Sequence, residues 1–419
     1  MKQFTLLIFI LILSQVTSQA QSTHKDSLLK EWNKLDAFKK MVQKEVPDFG
    51  FYAALIWNGE IISTKKMGYA NRETKLPLDE DTIFLWGSIS KMFTSIAIVQ
   101  LIEKGRLNLD DPVIKYVPEL GNGVDSLGGM KAIKIHHFLN HNSGINLSPC
   151  YDSLHKTYPR FKNSIPSTKE MLLFLKLATQ NFTPGKKFQY SNGAYSLLGV
   201  IIERITKIKF TKYVTRNIFK LLGMKTAHYG ETPRKFSKYF TRAYYQMKNG
   251  KTDTMNFDVS QGFQEGNGGV KATVKDMLKF MDFLRFRKRE AYFKRYEKVL
   301  KKKILDKYYL TNDFSDKRTF HDHFKSPRVH RYWYLGFMQN INPKLKTSLL
   351  GHTGLIERHL SVFFFNTKLP LGVLLMCNTS AEDKKTKTAL ANRKIFSAIY
   401  RFPVNLEIDK KRIDLSNKE

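Results

Sequence analysis

Three short motifs carry residue types that could do acyl-transfer chemistry: Ser88-Ile89-Ser90-Lys91, Tyr190-Ser191-Asn192 and His352-Thr353-Gly354. A serine hydroxyl attacks a carbonyl only after a base takes its proton, and a desolvated lysine amine can be neutral near pH 7 and act as that base. The Ser-x-x-Lys spacing alone says little, because the chain holds 70 Lys+Arg and repeats the spacing at Ser22/Lys25, Ser27/Lys30, Ser63/Lys66 and Ser153/Lys156. Ser88 differs in context. It follows an extended segment, Asp81 to Gly87, and opens the apolar run Met92 to Leu101, which reads as a buried helix. That places Ser88 in the first turn of a core helix, with Lys91 on the same face three residues on. Free N–H groups and the positive end of the helix dipole there favour an oxyanion and disfavour an ammonium. Gly87 is expected to leave room for a substrate carbonyl. Taken singly, the serine also fits a helix N-cap, Tyr190 to Asn192 a loop whose Ser191 or Asn192 caps the helix from Ala194, and a histidine at a strand end a structural role.

The elements that must position these residues can be read from periodicity. Lys25 to Val46 forms an amphipathic helix with Leu28, Trp32, Leu35, Phe38 and Val42 on one face. Phe51 to Trp57 and Ile61 to Gly68 are two apolar runs joined by Asn58-Gly59, a hairpin signal. The middle of the chain, about 87–324, is mostly helical. Tyr332 to Gln339, Thr347 to His352, Leu360 to Asn366 and Leu371 to Cys377 are strand-like, and Lys384 to Arg401 is a final helix. Strands near both ends and helices between them imply an α/β fold. One antiparallel sheet is built from both termini (about 25–86 and 325–404) and flanked by helices, with the mostly helical region inserted. The cleft between the two parts is where a site is expected.

Residues 1–20 read as a secretory signal: Lys2, an apolar core from Phe4 to Leu13, then Ser18-Gln19-Ala20. The expected mature chain, 21–404 with a polar tail at 405–419, is exported, periplasmic or secreted. Cys150 and Cys377 are too few for a disulfide framework, and the choice between one bridge and two thiols stays open. Neither cysteine lies in a metal-ligand spacing, and no metal or cofactor is expected. A net charge of +33 attracts anionic partners, among them the surface of a cell envelope. The densest basic stretch, Arg285 to Lys307, carries Phe286, Phe293, Tyr296, Leu300 and Ile304 at roughly helical spacing. It therefore reads as the solvated face of a helix, and no nucleic-acid partner is expected.

The motifs together resemble the serine β-lactamase and penicillin-binding protein superfamily, specifically the class C-like branch with its DD-peptidases, D-aminopeptidases and esterases. Further segments resemble landmarks of that family in order: Gly105 to Pro112, Leu139 to Gly144, Leu222 to Met224 and Gly268 to Thr273. The resemblance covers about Phe51 to Asn378 and implies a β-lactamase/DD-peptidase-like fold. It implies Ser88 as the acylated nucleophile, Lys91 and Tyr190 as the groups that move its proton, and Asn192 as a partner for substrate and lysine. Tyr190 would act as a general base, either as a phenolate whose pKa neighbouring cations such as Lys91 lower or through a proton shared with Lys91. Thr353 and Gly354 would line the cleft, and the amides of Ser88 and Leu355 would hold the oxyanion. His352 replaces the lysine of many relatives and offers a smaller, switchable charge, which favours an esterase, peptidase or amidase over dedicated β-lactam hydrolysis. The expected substrate is a small molecule or peptide. The chain departs from the family at Leu355 to His359, where relatives place a glycine. Glu357, Arg358 and His359 either line the cleft mouth or obstruct it, and the second case leaves a non-catalytic protein that binds an anionic envelope component.

Overall fold

The computed structural model describes residues 25–401 apart from 124, 163, 256–257, 287–289, 311–319, 326–329, 343–346 and 357. The signal at 1–20 and the tail at 405–419 lie outside the described residues. No helix among those described is long and apolar enough to cross a membrane.

Asn58 and Gly59 both adopt positive φ (50° and 76°), the geometry that a two-residue hairpin turn requires. They join β1 (Phe51–Trp57) to β2 (Glu60–Met67). Six further strands come from the C-terminal part: β3 (Phe320–Lys325), β4 (His330–Tyr334), β5 (Phe337–Asn342), β6 (Thr347–Ile356), β7 (His359–Asn366) and β8 (Leu371–Cys377). All eight form one antiparallel sheet in the order β3-β4-β5-β6-β7-β8-β1-β2. The two ends of the chain therefore share one sheet, joined where β8 pairs with β1, as the sequence implies. The expected strand Tyr332 to Gln339 is instead the hairpin β4–β5, because Leu335 (φ 43°) and Gly336 (φ 85°) reverse the chain in its middle.

The central strands are apolar on both faces because each face meets its own core. In β1, Tyr52, Ala54 and Ile56 point into one core, while Phe51, Ala53, Leu55 and Trp57 point into the other. The second core is covered by residues 25–33, by α1 (Leu35–Glu45) and by α4 (Lys387–Arg401), with Leu28, Trp32, Val42, Ile395 and Ile399 buried. The first and larger core holds the inserted helices, chiefly α2 (Ser90–Glu103) and α3 (Asn192–Thr206). Every residue of α2 from Ser90 to Leu101 is buried, as expected of a helix surrounded on all sides. The basic stretch expected as one helix is broken into a π turn (Asp282–Phe286) and two short helices (Glu290–Val299 and Lys302–Leu305). Tyr296 and Leu300 are buried, and Lys294, Arg295, Lys298, Lys301, Lys302 and Lys303 are exposed.

The two cysteines occupy different cores, Cys150 with the helices and Cys377 on the far face of the sheet. They are free thiols, so the open question of a bridge is answered against it. Burial pushes the Cys150 thiol up to about 11 and the Cys377 thiol well above its ordinary value, which keeps both protonated. A maleimide should therefore modify neither thiol in the native chain and both after unfolding, read as intact mass. Modification of either under native conditions would contradict this packing.

Candidate active site

Ser88 lies in the short 3-10 turn Gly87–Ile89 that leads directly into α2, one step ahead of the helix proper. The turn is fixed from both sides. The strand Ile83–Leu85 pairs with Lys271–Thr273, the Trp86 N–H donates to Val270 O (2.9 Å) and its indole N–H to Ala272 O (2.9 Å). On the other side the Ser361 hydroxyl of β7 donates to Trp86 O (2.9 Å).

Lys91 is the centre of the arrangement. It is fully buried, and its Nζ lies 3.1 Å from Ser88 Oγ, 2.8 Å from Asn192 Oδ1 and 2.8 Å from the carbonyl oxygen of Asn267. Burial holds its pKa well below the ordinary 10.5. A neutral amine has two N–H donors and one lone pair. Asn267 O can only accept, and the lysine-facing oxygen of Asn192 can only accept, so both donors are committed. The lone pair is left for the Ser88 hydroxyl to donate into, which is the geometry for removing that proton.

Asn192 opens α3, whose first turn is capped by the Ser191 hydroxyl accepting from Ala194 N–H (3.1 Å). The Tyr190 hydroxyl is hydrogen-bonded to Ser88. The expectation that Lys91 lowers the pKa of Tyr190 does not hold. Burial of the hydroxyl raises it, the Ser88 bond offsets only part of this, and a neutral lysine supplies no field to oppose it. Tyr190 keeps 38 % of its surface open to the cleft, so solvent moderates the shift without changing its sign. In the resting site Tyr190 is a protonated donor.

The third motif lies on β6. Its pairing with β5 ends at Gly351, which leaves that edge of His352 to Ile356 unpaired beside Gly87 and Ser88. Gly354 is needed for the approach: a Cβ there would lie 2.1 Å from Trp86 O and 2.2 Å from Ser361 Oγ. Gly87 serves the same contact. It has φ +57°, and its Cβ would meet Ile356 Cγ2 at 3.0 Å and Leu355 N at 3.2 Å. The Leu355 amide thus abuts the backbone next to Ser88, while the Leu355 side chain is 70 % exposed. Thr353, between His352 and Gly354 in sequence, is half-buried.

His352 is buried, and burial together with nearby Lys91 lowers its pKa to about 3. Its Nδ1 bonds the carbonyl of Thr353, so Nδ1 carries the hydrogen. The expected switchable charge is therefore absent at neutral pH. Two of the three residues whose turn could line or obstruct the cleft mouth are described. Arg358 (φ 70°) stacks its guanidinium 3.6 Å from the ring of Tyr245, and His359 is buried in the sheet. Glu357 lies outside the described residues.

Three contributors were not singled out from sequence. Asn267 presents its carbonyl to Lys91 from a turn held by Thr94 Oγ1–H to Gly266 O (2.6 Å) and Asn267 Nδ2–H to Ser196 Oγ (2.9 Å). His141, at φ 56°, stacks on Tyr190 (ring centroids 4.3 Å apart) and accepts from Ser191 N–H through Nδ1 (3.1 Å). Trp333 lies 5.6 Å from the Tyr190 ring and 5.3 Å from that of His352. Two of the three fall within or beside recognised segments, Leu139 to Gly144 and Gly268 to Thr273. Their roles depend on tertiary placement that the segments do not encode.

A depressed lysine pKa has a sign that stability can report. Unfolded, Lys91 takes up a proton below about 10.5; folded, it does so only at much lower pH. Wild-type stability should therefore rise relative to Lys91→Met as pH goes from 7 to 9, by up to about 1.4 kcal/mol per pH unit. Denaturant unfolding at the two pH values checks this, and parallel pH dependence in the two proteins would contradict a neutral buried lysine.

Comparison with known proteins places this geometry in context. Residues 38–395 match the Beta-lactamase family. The chain is 30 % identical over 233 residues to a putative penicillin-binding protein, PbpX, of Bacillus subtilis (strain 168), covering 55 % of this chain and 54 % of that one. It thus spans about half the length of that relative. Its fold superposes on an octameric penicillin-binding protein homologue from Pyrococcus abyssi with a TM-score of 0.67 at 22 % identity, over 88 % of this chain and 77 % of that one. It also superposes on a D-amino acid amidase from Ochrobactrum anthropi SV3 complexed with D-phenylalanine, with a TM-score of 0.66 at 21 % identity, over 91 % and 99 % of the two chains. The family match runs through Ser88, Lys91, Tyr190 and His352 together with the sheet that carries them, and on that ground the chain belongs to the Beta-lactamase family.

Proposed function

We propose that the protein is an exported serine hydrolase that acts through an acyl-enzyme on Ser88, cleaving an amide or ester that carries no carboxylate beside the scissile bond. The observation that carries this reading is the buried Lys91 amine, its pKa held well below the ordinary value, with Nζ 3.1 Å from Ser88 Oγ and 2.8 Å from each of two amide oxygens that can only accept.

In the proposed reaction the Ser88 hydroxyl gives its proton to Lys91 Nζ as Oγ bonds to the substrate carbonyl carbon. The oxyanion is held by the backbone N–H groups of Ser88 and Leu355, each such donor being worth about 10²–10³ in turnover. As the tetrahedral intermediate collapses, Tyr190 donates its proton to the leaving nitrogen or oxygen. The proton held by Lys91 then returns to Tyr190. Water enters the vacated place, gives a proton back through the same pair, attacks the acyl carbonyl and releases Ser88. Asn192 keeps Lys91 oriented and faces the substrate.

The substrate classes open to this machinery are a D-amino-acid peptide, a small ester and a β-lactam. Electrostatics narrows them. Burial lowers the pKa of His352 to about 3 and holds that of Lys91 well below its ordinary value. Neither group therefore offers a settled positive charge to compensate a substrate carboxylate for lost water. The amidase relative, whose solved structure holds D-phenylalanine, accords with a small amide.

Exposure to a fluorophosphonate should give an adduct that peptide mass spectrometry maps to Ser88 and that Ser88→Ala lacks. A folded wild-type chain without adduct would overturn the mechanism. Among substrates, converting the C-terminal carboxylate of an N-acyl-D-alanyl-D-alanine peptide to its methyl ester should raise kcat/KM for the internal amide about tenfold or more, the equivalent of ~1.4 kcal/mol. Preference for the free acid would reject the substrate class and leave the Ser88 chemistry intact.

A further inference from the structure

On the outer side of the helical region, the run from Phe210 to Leu222 turns one face to the protein and another to solvent. Phe210, Tyr213, Val214, Ile218, Phe219 and Leu222 are buried in the first core. A groove of about 470 Å³ runs along the outer face, lined by Thr211, Lys212, Thr215, Arg216, Lys220, His228 and Tyr229. No carboxylate is among the described residues that line it. Lys212, Arg216 and Lys220 are exposed, and none of the three has an ion-pair partner among the described residues.

Their alignment has a structural cause. Residues four apart on a regular α-helix drift by about 40° per step. Here the run is α-helical over Phe210–Val214, π-helical over Thr215–Phe219 and α-helical again over Lys220–Leu222. The wider π turn offsets the drift, so that the three cations edge one groove at intervals of about 6 Å.

We infer that this groove binds a linear anionic polymer of the acidic-glycan type, bearing carboxylate or phosphate groups on successive units, and so holds the protein on such a material. The concave shape suits a single extended chain better than a flat lipid surface. The Thr211 and Thr215 side chains offer hydroxyls to a sugar chain. Single-stranded nucleic acid fits less well, because it needs open aromatic faces on which bases can stack. The Tyr229 ring is already stacked on Phe219 (5.6 Å, 21°) and met edge-on by Phe210 (5.4 Å). His228 contributes no charge, since burial lowers its pKa and its nitrogens bond Thr226 O and Thr232 Oγ1. The net charge of +33 supplies long-range attraction to any polyanion, and the groove supplies the place. This inference does not depend on the chemistry proposed for Ser88.

The test uses the full chain and fluorescein-labelled oligogalacturonate as probe, read by anisotropy at several salt concentrations. The triple variant Lys212→Gln/Arg216→Gln/Lys220→Gln is compared with Lys298→Gln/Lys301→Gln/Lys303→Gln, which loses the same charge from another exposed stretch. Exposed charge contacts are worth up to about fivefold each, so the groove variant should bind about tenfold or more weakly and the control variant within about twofold of wild type. Both variants should retain the wild-type melting temperature. Equal losses in the two variants would show a mere net-charge effect and overturn the inference. So would tighter binding to single-stranded DNA of matched length, or to anionic lipid vesicles, than to oligogalacturonate.

Discussion

A lysine amine sealed from water must give up its charge or find a counter-charge, and the described residues around Lys91 supply no carboxylate. They supply two amide oxygens and a serine hydroxyl. That single constraint organises the rest of the site. The amine has to stay neutral, its donors have to point at Asn192 and Asn267, and the remaining lone pair has to face Ser88. Three separate elements must meet within hydrogen-bond distance of one nitrogen: α2, the first turn of α3, and the turn Glu265–Gly268. The seam that joins them is built accordingly. Thr94, Ser90 and Ser196 direct their hydroxyls at Gly266 O, Val270 N–H and Asn267 Nδ2–H, so the polar groups freed by each turn are satisfied locally.

The same burial decides the characters of the neighbours. Tyr190 cannot be a phenolate without a cation to stabilise it, and it therefore enters the reaction as a donor. His352 stands next to Lys91 in a dry strand end, and it too stays uncharged. A site made of neutral groups that become charged only during reaction is one in which a transient oxyanion and a transient ammonium stabilise each other. The unpaired edge of β6 completes it. Gly354 and Gly87 let that strand reach the start of α2, and the Leu355 amide arrives beside Ser88 as a consequence of sheet packing.

Much of this was legible in the sequence. The apolar run after Ser88, the Asn58-Gly59 turn and the strands near both ends gave the shared sheet and the buried helix, because burial on two faces forces continuous apolar runs. Ser88, Lys91, Asn192 and Gly354 were identified by spacing and by family resemblance, and the structure brings them together. Other features escaped. The β4–β5 reversal at Leu335-Gly336 hides inside an aromatic-rich run that reads as one strand. The carbonyl of Asn267 is a backbone atom, so no side-chain pattern announces it. The charge states of Tyr190 and His352 depend on desolvation, which composition does not report. Arg358 stacks on Tyr245, a partner 113 positions away in sequence that no local motif reveals.

The neutral state of Lys91 is the central claim, and nuclear magnetic resonance reads it directly. A chain labelled with ¹³C and ¹⁵N in lysine, compared with Lys91→Met to assign the signal, should show one Cε–Nζ correlation at the chemical shift of a free amine already at pH 7. A Lys91 signal that remains that of an ammonium until pH 10 would contradict the account.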